Sequence, residues 1–555
     1  MTIVPDLSAS LEDGRAALAR RDWPAARQAF DRALAHGESP EALEGIGMAA
    51  WWAEDYPAAI RAREHAYRIW RAASDRAGAA RMAVWLASDY ADYRGETAVA
   101  NGWLRRAERL LDGLAPSPEH AWLAYNKAHF ALMVNRDPAE ARRLSAEAAA
   151  LARTAGPADM EMLDIALEGL ALVTEGRVAD GMGRLDEASV AVTAGEVSDP
   201  ITIGVTCCYL IRACEQVRDY DRAAQWCERV RDFSRRVNFT GLFAACRIQY
   251  AALLTLRGEW EEAETEIEAL HRHVETSQPR LVAIARVRLA ELRRRQGRLA
   301  EAAALFVEAG THGLAILGRA ALALDEGAAA EAVDLVEEYL RRVPPNDRTE
   351  RVPGLEVAVL ARTAAGDPPG AAAALDELRD IAGRVGTVPL RAAVASAEAA
   401  VLSAAGEHAA ACARLDEAAT LYEDCRAPFE GGRARLALAR ELRASGRPQA
   451  ATMQARAART VFEELGADRD ALEAGAFLKA GEAKPRAQSS GCRPLTSREI
   501  EVLRLVAQGL SDREVAARLE LSEHTIHRHI TNILTKTGLP SRTAAVAHAA
   551  KQGLL

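Results

Sequence analysis

The sequence predicts an all-α protein in which a solenoid of about twelve helix pairs is followed by a small four-helix domain. Three observations lead to this fold class. A six-residue phrase recurs about every 40 residues over most of the chain. Apolar residues at helical spacing follow the phrase, and runs of alternating β-branched residues, which are typical of strands, do not occur. Apolar residues make up 49% of the 555 residues and charged residues 27%, so most of the chain can bury a core.

The recurring phrase begins with Gly or a charged residue and ends with a small residue. Its twelve copies read RDWPAA, EDYPAA, GETAVA, RDPAEA, GRVADG, RDYDRA, GEWEEA, GRLAEA, GAAAEA, GDPPGA, GEHAAA and GRPQAA. The small residues that end them are Ala26, Ala59, Ala100, Ala141, Gly181, Ala223, Ala263, Ala302, Ala332, Ala371, Ala411 and Ala451. The first residues of a phrase end one helix and turn the chain, and Pro, where present, starts the next helix. The small residue allows close helix packing, so residues 1–478 are predicted to form a stack of helix pairs.

Aromatic residues are concentrated near the start of the chain. Seven of the nine tryptophans precede residue 123, and together with Tyr90, Tyr93 and Tyr125 they make the N-terminal third rich in aromatic residues: Trp23, Trp51, Trp52, Trp70, Trp85, Trp103 and Trp122. Bulky core filling between repeats is the favoured interpretation. A groove for an effector or a partner in the same region is the alternative.

The charge and composition change after residue 478. Residues 479–494 read KAGEAKPRAQSSGCRP, a composition typical of a linker. Residues 479–555 carry 12 basic and 7 acidic side chains, a net charge of +5, whereas residues 1–478 carry a net charge of −14. This asymmetry is expected of a chain in which only the tail meets a polyanion.

Residues 495–555 are predicted to form four short helices. Thr496 with Glu499 and Ser511 with Glu514 make capping boxes that open the first and second helices. Gly509 closes the first helix, Ser522 can cap the third, and Pro540 with Ser541 opens the fourth, which is predicted to end near Gly553. The short turn between the second and third helices is typical of a helix-turn-helix.

The third helix separates into two faces. Its apolar stripe is Ile526, Ile530, Ile533 and Leu534. The opposing face carries His524, His527, Arg528, Thr531 and Thr535, which can donate hydrogen bonds to phosphates and base edges. The open helix N-termini at Ser511 and Ser541 offer free amides to phosphates.

The segment closely resembles the LuxR-type helix-turn-helix DNA-binding domain. The motifs LTSRE, EVLRLVAQGLSDREVAARL, SEHTIHRHITNI and SRTAAVAHA carry the resemblance over Leu495 to Leu555. The resemblance implies base-facing positions at His527, Arg528 and Thr531. It also implies phosphate contacts at Thr496, Arg513, Lys536 and Arg542, and a dimer seam along Val546, Ala547 and Ala550.

Three residues depart from the family pattern. His527 stands where Lys or Arg is usual, and Asp512 stands where Asn is usual. Both changes lower the local positive charge, so we expect weak nonspecific DNA binding with some dependence on histidine protonation. Thr537 replaces a usual Leu, which is expected to cost some packing.

The body resembles the tetratricopeptide-like repeats of large bacterial regulators, although its repeat is longer than the usual 34 residues. The resemblance implies a right-handed superhelix whose concave face binds a peptide, a protein or a small effector.

Several functional classes lack the residues that they need. The chain has no Gly-Lys dipeptide for a phosphate-binding loop, and no H-E-x-x-H or G-x-S-x-G motif. We therefore expect no catalytic site, no metal site and no cofactor. No secretory signal or membrane-spanning stretch is predicted, so a cytoplasmic location without membrane contact is expected.

The eight cysteines form no C-x-x-C pair and are expected to remain thiols in a reducing compartment. A redox sensor at Cys207 and Cys214, which lie on one face of a predicted helix, is a weaker alternative.

The sequence thus favours a transcription regulator, more often an activator by family resemblance. Its repeats would sense a partner or effector, and its tail would bind double-stranded DNA as a dimer through the last helix. The main alternative is a helical-repeat scaffold without specific DNA binding. A hidden enzyme, a promoter-reading domain of sigma-factor type and a tail that merely continues the repeats are less favoured.

Overall fold

The computed structural model describes residues 7–237, 242–274, 279–482, 495–519, 521–537, 539 and 541–551. It divides the chain into two compact units, Met1–Gly481 and Glu482–Leu555. The described residues form α-helices joined by short turns and contain no strand. This confirms the prediction of an all-α protein in which a tetratricopeptide-like solenoid of about twelve helix pairs precedes a four-helix domain.

The first unit contains twelve helix pairs and one final helix within its described residues. The first six pairs are α1 (Leu7–Ala19), α2 (Trp23–Leu34), α3 (Pro40–Trp52), α4 (Tyr56–Ala72), α5 (Arg76–Asp92), α6 (Thr97–Leu111), α7 (Pro118–Met133), α8 (Pro138–Ala155), α9 (Ala158–Thr174), α10 (Val178–Ala194), α11 (Pro200–Val217) and α12 (Tyr220–Val237). The others are α13 (Leu242–Arg257), α14 (Trp260–Val274), α15 (Pro279–Arg295), α16 (Leu299–Glu308), α17 (Gly313–Asp325), α18 (Ala329–Arg342), α19 (Arg348–Ala365), α20 (Pro368–Val385), α21 (Val388–Ala404), α22 (His408–Asp424), α23 (Pro428–Ala444), α24 (Pro448–Leu465) and α25 (Asp468–Glu482).

Every copy of the repeated phrase turns the chain between the two helices of a pair. Its first residue has a positive φ in all twelve copies: Arg21, Glu54, Gly95, Arg136, Gly176, Arg218, Gly258, Gly297, Gly327, Gly366, Gly406 and Gly446. This left-handed conformation ends the odd-numbered helix. In the first copy, the carboxylate of Asp22 then accepts a hydrogen bond from the Ala25 backbone at 3.1 Å and caps the next helix. The phrase is therefore a helix stop followed by a helix start.

The small residue that ends each phrase is buried in all twelve copies. Gly181 shows why size matters here. A Cβ atom at this position would lie 2.5 Å from the carbonyl oxygen of Gly169 and 2.8 Å from the backbone nitrogen of Val173. The α9 and α10 backbones thus approach each other more closely than a methyl group would permit.

Along most of the solenoid, each odd-numbered helix also contacts the next odd-numbered helix. Helices ten apart in the chain meet as well, since α9 contacts α19, α10 contacts α20 and α13 contacts α23. Between α11 and α19, Arg212 pairs with Glu350 at 2.8 Å, and Arg218, directly after α11, pairs with Glu356 of α19 at 2.8 Å. Repeats about five pairs apart are therefore held together by packing and by ion pairs.

A cluster of charges joins the later repeats. The buried carboxylate of Asp325 on α17 accepts hydrogen bonds from Arg294 of α15 and, at 2.7 Å, from Arg433 of α23. Arg469 of α25 lies 3.2 Å from the same carboxylate. Burial alone would raise the pKa of Asp325, but Arg294 and Arg433 outweigh it and hold the pKa below its usual range.

Three of the ten early aromatic residues are buried in the core. Trp51 and Trp52 are each 8% exposed and Tyr125 is 6% exposed. Trp85 and Trp122 are half-buried and pack against the apolar clusters. The interpretation of these aromatic residues as core filling is confirmed at the three buried positions.

The cysteines differ in part from the expectation. Cys207, Cys214, Cys227, Cys412 and Cys425 are free thiols. Burial raises the pKa of Cys207 to about 12, which keeps this thiol protonated and unreactive. Cys208 is disulfide-bonded, so the expectation of thiols throughout is wrong at this position. Sequence spacing could not reveal the bond, because it depends on distance in the fold.

No helix in the described part of the chain is both long and apolar enough to cross a lipid bilayer.

Candidate DNA interface

The second unit contains four helices within its described residues: α26 (Ser497–Ala507), α27 (Asp512–Leu519), α28 (Glu523–Thr537) and α29 (Arg542–Lys551). Thr496 and Glu499 form the predicted capping box of α26. At α27, Ser511 and Glu514 exchange the same two bonds, with 2.8 Å between the Ser511 nitrogen and the Glu514 carboxylate. The helix starts predicted for α26 and α27 are therefore confirmed.

The remaining boundary signals also agree. The Ser522 hydroxyl accepts from the Thr525 nitrogen at 3.2 Å, and the Ser541 hydroxyl accepts from the Ala544 nitrogen at 3.1 Å. Gly509 has φ +85° directly after α26. Pro540 and Gly553, the other predicted boundary residues, lie outside the described residues.

The apolar stripe of α28 packs into the centre of the unit. Ile526 is fully buried and Ile533 is 2% exposed. Both belong to one apolar cluster, which also contains Val502 of α26 and Val515 of α27. Ile530 and Leu534 pack at the edge of the same cluster. This anchoring fixes the rotation of α28 about its axis and so determines which side chains point to solvent.

The opposite face of α28 is exposed. His527, Arg528 and Thr531 are all exposed, as predicted for base-facing residues. Arg528 makes no hydrogen bond or ion pair with any residue that the structure describes. The Thr531 hydroxyl donates to the His527 carbonyl at 2.9 Å. His524 begins this face, but its side chain lies outside the described part.

Asn532 also belongs to this exposed face, and the sequence analysis missed it. It lies four residues after Arg528, so the two side chains are neighbours on the helix surface. An asparagine amide can pair with the N6 and N7 edge of adenine, just as arginine can pair with guanine. The spacing from Arg528 was the signal that could have identified it.

Three of the five predicted phosphate contacts are freely accessible. Thr496, Ser511 and Arg513 are exposed at the starts of α26 and α27. The Ser511 hydroxyl donates to Glu514 at 2.7 Å, so it already serves the helix cap. Arg513 has no hydrogen bond or ion pair within the described residues.

The other two basic residues are engaged inside the unit. Lys536 Nζ lies 2.6 Å from the Glu499 carboxylate, which links the end of α28 to the start of α26. Burial would raise the pKa of Glu499, but the hydrogen bonds from Lys536 and Thr496 lower it below its usual range.

Arg542 binds the Asp512 carboxylate at 2.9 Å and the Leu510 carbonyl at 2.8 Å. It therefore compensates the negative charge that Asp512 introduces. The phosphate contacts assigned to Lys536 and Arg542 stay predictions.

The predicted dimer seam divides between core and surface. Val546 packs at the edge of the apolar cluster of its own unit. Ala547 and Ala550 are exposed on α29, where small side chains would let a second helix approach closely.

Comparison with known proteins agrees with this geometry. The family model of the bacterial regulatory proteins of the luxR family matches residues 493–549. The carboxyl-terminal domain belongs to the LuxR family. The match covers the first three helices of the domain, including the exposed face of α28, and most of α29.

Curated relatives match over the same end of the chain. An HTH-type transcriptional regulator of Mycobacterium tuberculosis, Rv0890c, is 38% identical over 95 residues, which are 17% of this chain and 11% of that protein. The oxygen regulatory protein NreC of Staphylococcus aureus is 43% identical over 61 residues, which are 11% of this chain and 28% of that protein. The chain thus spans about a tenth to a quarter of the length of these relatives.

Solved structures match over the helical body at low identity. One chain in the crystal structure of the APC/C hetero-tetramer Cut9–Hcn1 aligns with 84% of this chain. The alignment covers 95% of that chain, with 12% identity and a TM-score of 0.44. A Rap protein complexed with competence and sporulation factor covers 66% of this chain and 93% of its own, with 12% identity and a TM-score of 0.38.

Proposed function

We propose that the protein is a cytoplasmic transcription activator that binds double-stranded DNA through α28 and senses a partner or effector through its solenoid. The single observation that carries the DNA-binding part is the exposed face of α28 in a LuxR-family domain. Arg528 and Asn532 stand on it as free hydrogen-bonding groups, while Ile526 and Ile533 hold the helix from behind. The proposal includes no catalytic step and no cofactor.

In this proposal, α28 enters the major groove and its polar face reads base edges. Thr496, Ser511 and Arg513 lie at helix starts, where backbone amides and the helix dipole favour phosphate oxygens. Two copies joined along Ala547 and Ala550 would bind half-sites about one helical turn, or ~34 Å, apart. Ligand or partner binding to the solenoid would alter the availability of the domain.

Arg528 and Arg513 form a matched pair for testing this assignment. Both are exposed arginines without an ion pair in the described part of the domain, and each substitution removes one positive charge. We expect Arg528→Ala to relax sequence preference, losing about 1–3 kcal/mol of discrimination at one base pair. We expect Arg513→Ala to weaken binding to cognate and random DNA alike and to reduce the salt slope by about one.

The measurement is a gel shift at several salt concentrations, with genomic fragments that the full-length protein retains. Equal losses on cognate and random DNA for Arg528→Ala would contradict the base-reading assignment. Failure to retain any genomic fragment even at about 50 mM salt would favour the scaffold function instead. A reporter gene placed behind a retained fragment tests activation, since expression should fall when the protein is deleted.

A further inference from the structure

The odd-numbered helices bring a group of polar side chains together inside the solenoid. Tyr125 on α7 and Tyr209 on α11 flank α9, and their hydroxyl groups lie 2.8 Å apart. His129, one turn after Tyr125, places its Nδ1 2.6 Å from the Tyr209 hydroxyl. All three groups therefore form a hydrogen-bonded chain between α7 and α11.

Asp164 on α9 lies beside this chain. Its side chain is fully buried, and neither carboxylate oxygen has a hydrogen-bond partner among the residues that the structure describes. It is close enough to Tyr125 and Tyr209 to act electrostatically on both hydroxyl groups. A buried carboxylate with both oxygens unpartnered is costly, because burial removes water without supplying a replacement donor.

The surroundings of Asp164 are acidic. The charged groups that act on Tyr209 are the two carboxylates Asp92 and Asp164, and Asp164 itself is influenced by Glu161. The basic side chain of the hydrogen-bonded chain, His129, bonds to Tyr209, and neither Asp164 oxygen accepts a hydrogen bond from a residue that the structure describes. Burial accordingly raises the pKa of Asp164 well above its usual range. Within the part of the chain that the structure describes, the Asp164 carboxylate therefore lacks a hydrogen-bond donor, which a bound cation with N–H groups would supply.

The hydroxyl chain leaves hydrogen-bonding capacity unused. If His129 donates to Tyr209, then Tyr209 donates to Tyr125 and the Tyr125 proton is available. If the direction is reversed, the lone pairs of Tyr125 are available instead. The hydroxyl of Thr206, one turn before Tyr209 on the same face of α11, is also buried without a partner.

An aromatic surface continues from this chain. The Trp122 ring stacks on Tyr125 with 5.3 Å between centroids and an interplanar angle of 20°, and Trp85 follows at 5.5 Å from Trp122. Trp122 and His129 are half-buried and Asp92 is exposed, so solvent reaches this side of the group. Aromatic faces attract organic cations. No cluster of metal-ligating residues occurs among the residues searched, so an organic cation fits better than a metal ion.

We propose that Asp164 is the anionic centre of a binding site for a primary ammonium group carried on an apolar or aromatic body. The ammonium would donate to the Asp164 carboxylate and to the Tyr125 oxygen, and the body would lie against Trp122. This inference rests on the proposed function, and it names the chemical class of the effector that the solenoid would sense. Binding would alter the hydrogen bond between Tyr125 and Tyr209. It would therefore also alter how α7 and α11 pack against α9.

Calorimetry on the full-length protein with three matched compounds tests the site. The probes are phenethylammonium, its neutral analogue 2-phenylethanol, and phenethyltrimethylammonium, which keeps the charge but has no N–H donor. We expect saturable binding of phenethylammonium and at least about tenfold weaker binding of the other two, because each lacks one of the properties that Asp164 requires.

Asp164→Asn should weaken phenethylammonium binding at least about tenfold while leaving the thermal midpoint equal or higher, because the buried carboxyl group that it replaces has no hydrogen-bond partner among the described residues. Glu168→Gln is the matched control, since it removes one carboxylate charge one turn later on α9, where Glu168 lies 3.6 Å from Arg184. It should bind phenethylammonium like the unchanged protein.

Three results would overturn the proposal: no saturable binding of phenethylammonium, equal binding of 2-phenylethanol, or unchanged affinity in Asp164→Asn. A lower thermal midpoint in Asp164→Asn would also contradict it, since that result requires a structural partner for the carboxylate. The gel shift remains a separate measurement. Retention of DNA without amine binding contradicts only this site, and amine binding without DNA retention contradicts only the proposed function.

Discussion

Lys536 and Arg542 each stabilise the fold of the DNA-binding domain and also contribute to its positive charge. Both attract a carboxylate of the same domain, Glu499 in the first case and Asp512 in the second. Glu499 is 3% exposed, so Lys536 neutralises a charge that water cannot reach. Loss of Lys536 would thus weaken DNA binding through stability even if the side chain never touched a phosphate.

We predict that Lys536→Met lowers the stability of the domain by about 1–3 kcal/mol, because it leaves a buried carboxylate without its main partner. The double variant Glu499→Gln/Lys536→Met should recover most of that loss, since neither charge remains. Hydrogen exchange of peptides from α26 and α28 in the full-length protein measures the effect. A single variant as well protected as the unchanged protein would show that the ion pair contributes nothing.

The sequence predicts contacts between residues that are close together in the chain. It does not predict contacts between residues that are far apart in the chain. Ser522 and Ser541 cap helices that start within three residues of them, so spacing alone identifies them. The pairing of Lys536 with Glu499 spans 37 residues and depends on how α26 and α28 cross. The disulfide of Cys208 escaped the sequence analysis for the same reason.

The helix pairs depend on a backbone conformation that Gly adopts more easily than other residues. Eight of the twelve left-handed junction positions are Gly, and the other four are Arg or Glu. The phrase predicts where each pair turns, because a helix stop and a helix start stand next to each other in it. It does not predict that arginine occupies a positive φ at Arg21, which costs about 1 kcal/mol and is offset by packing elsewhere.

We predict that Gly181→Ala destabilises the solenoid by about 1–3 kcal/mol, because its methyl group would force the α9 and α10 backbones apart. Gly183→Ala is the control on the same helix: a Cβ there meets nothing within 4 Å. That change should stabilise the protein by about 0.5–1 kcal/mol, since alanine favours a helix more than glycine does. Urea denaturation compares the two, and a loss of equal size at both sites would refute the close-approach argument.

Contacts between repeats about five pairs apart hold distant parts of the solenoid together. Apolar residues of α9 and α11 share one core with residues of α19 and α20, among them Leu170, Leu210, Val359 and Leu378. The phrase spacing predicts the number of pairs but not which distant pairs meet, because that depends on small rotations that accumulate from repeat to repeat. The site around Asp164 was unpredictable for the same reason, since Tyr125 and Tyr209 are 84 residues apart.

We predict that Asp325→Asn lowers stability at neutral pH by about 3 kcal/mol, because it leaves the buried guanidinium of Arg294 underpaired. Asp380→Asn, in the exposed pair with Arg384, should change stability by less than about 0.5 kcal/mol. Denaturation with urea at neutral pH measures both changes.

The pH dependence follows from the lowered pKa of Asp325. The folded state holds the carboxylate ionised, so its contribution is fully present above about pH 4 and is lost as the pH falls further. The difference between Asp325→Asn and the unchanged protein should therefore shrink on acidification. A difference that stays constant down to about pH 3 would contradict the assigned cause.

The contact of α9 with α19 also limits how this chain can change its length. In an open stack, an inserted or deleted helix pair disturbs only its two neighbours. Here the loss of one pair between α9 and α19 would set Arg212 and Arg218 opposite the wrong residues of the following coil. Repeat arrays usually grow by duplication and deletion of repeats. We expect this solenoid to tolerate such changes near its ends but not in its middle.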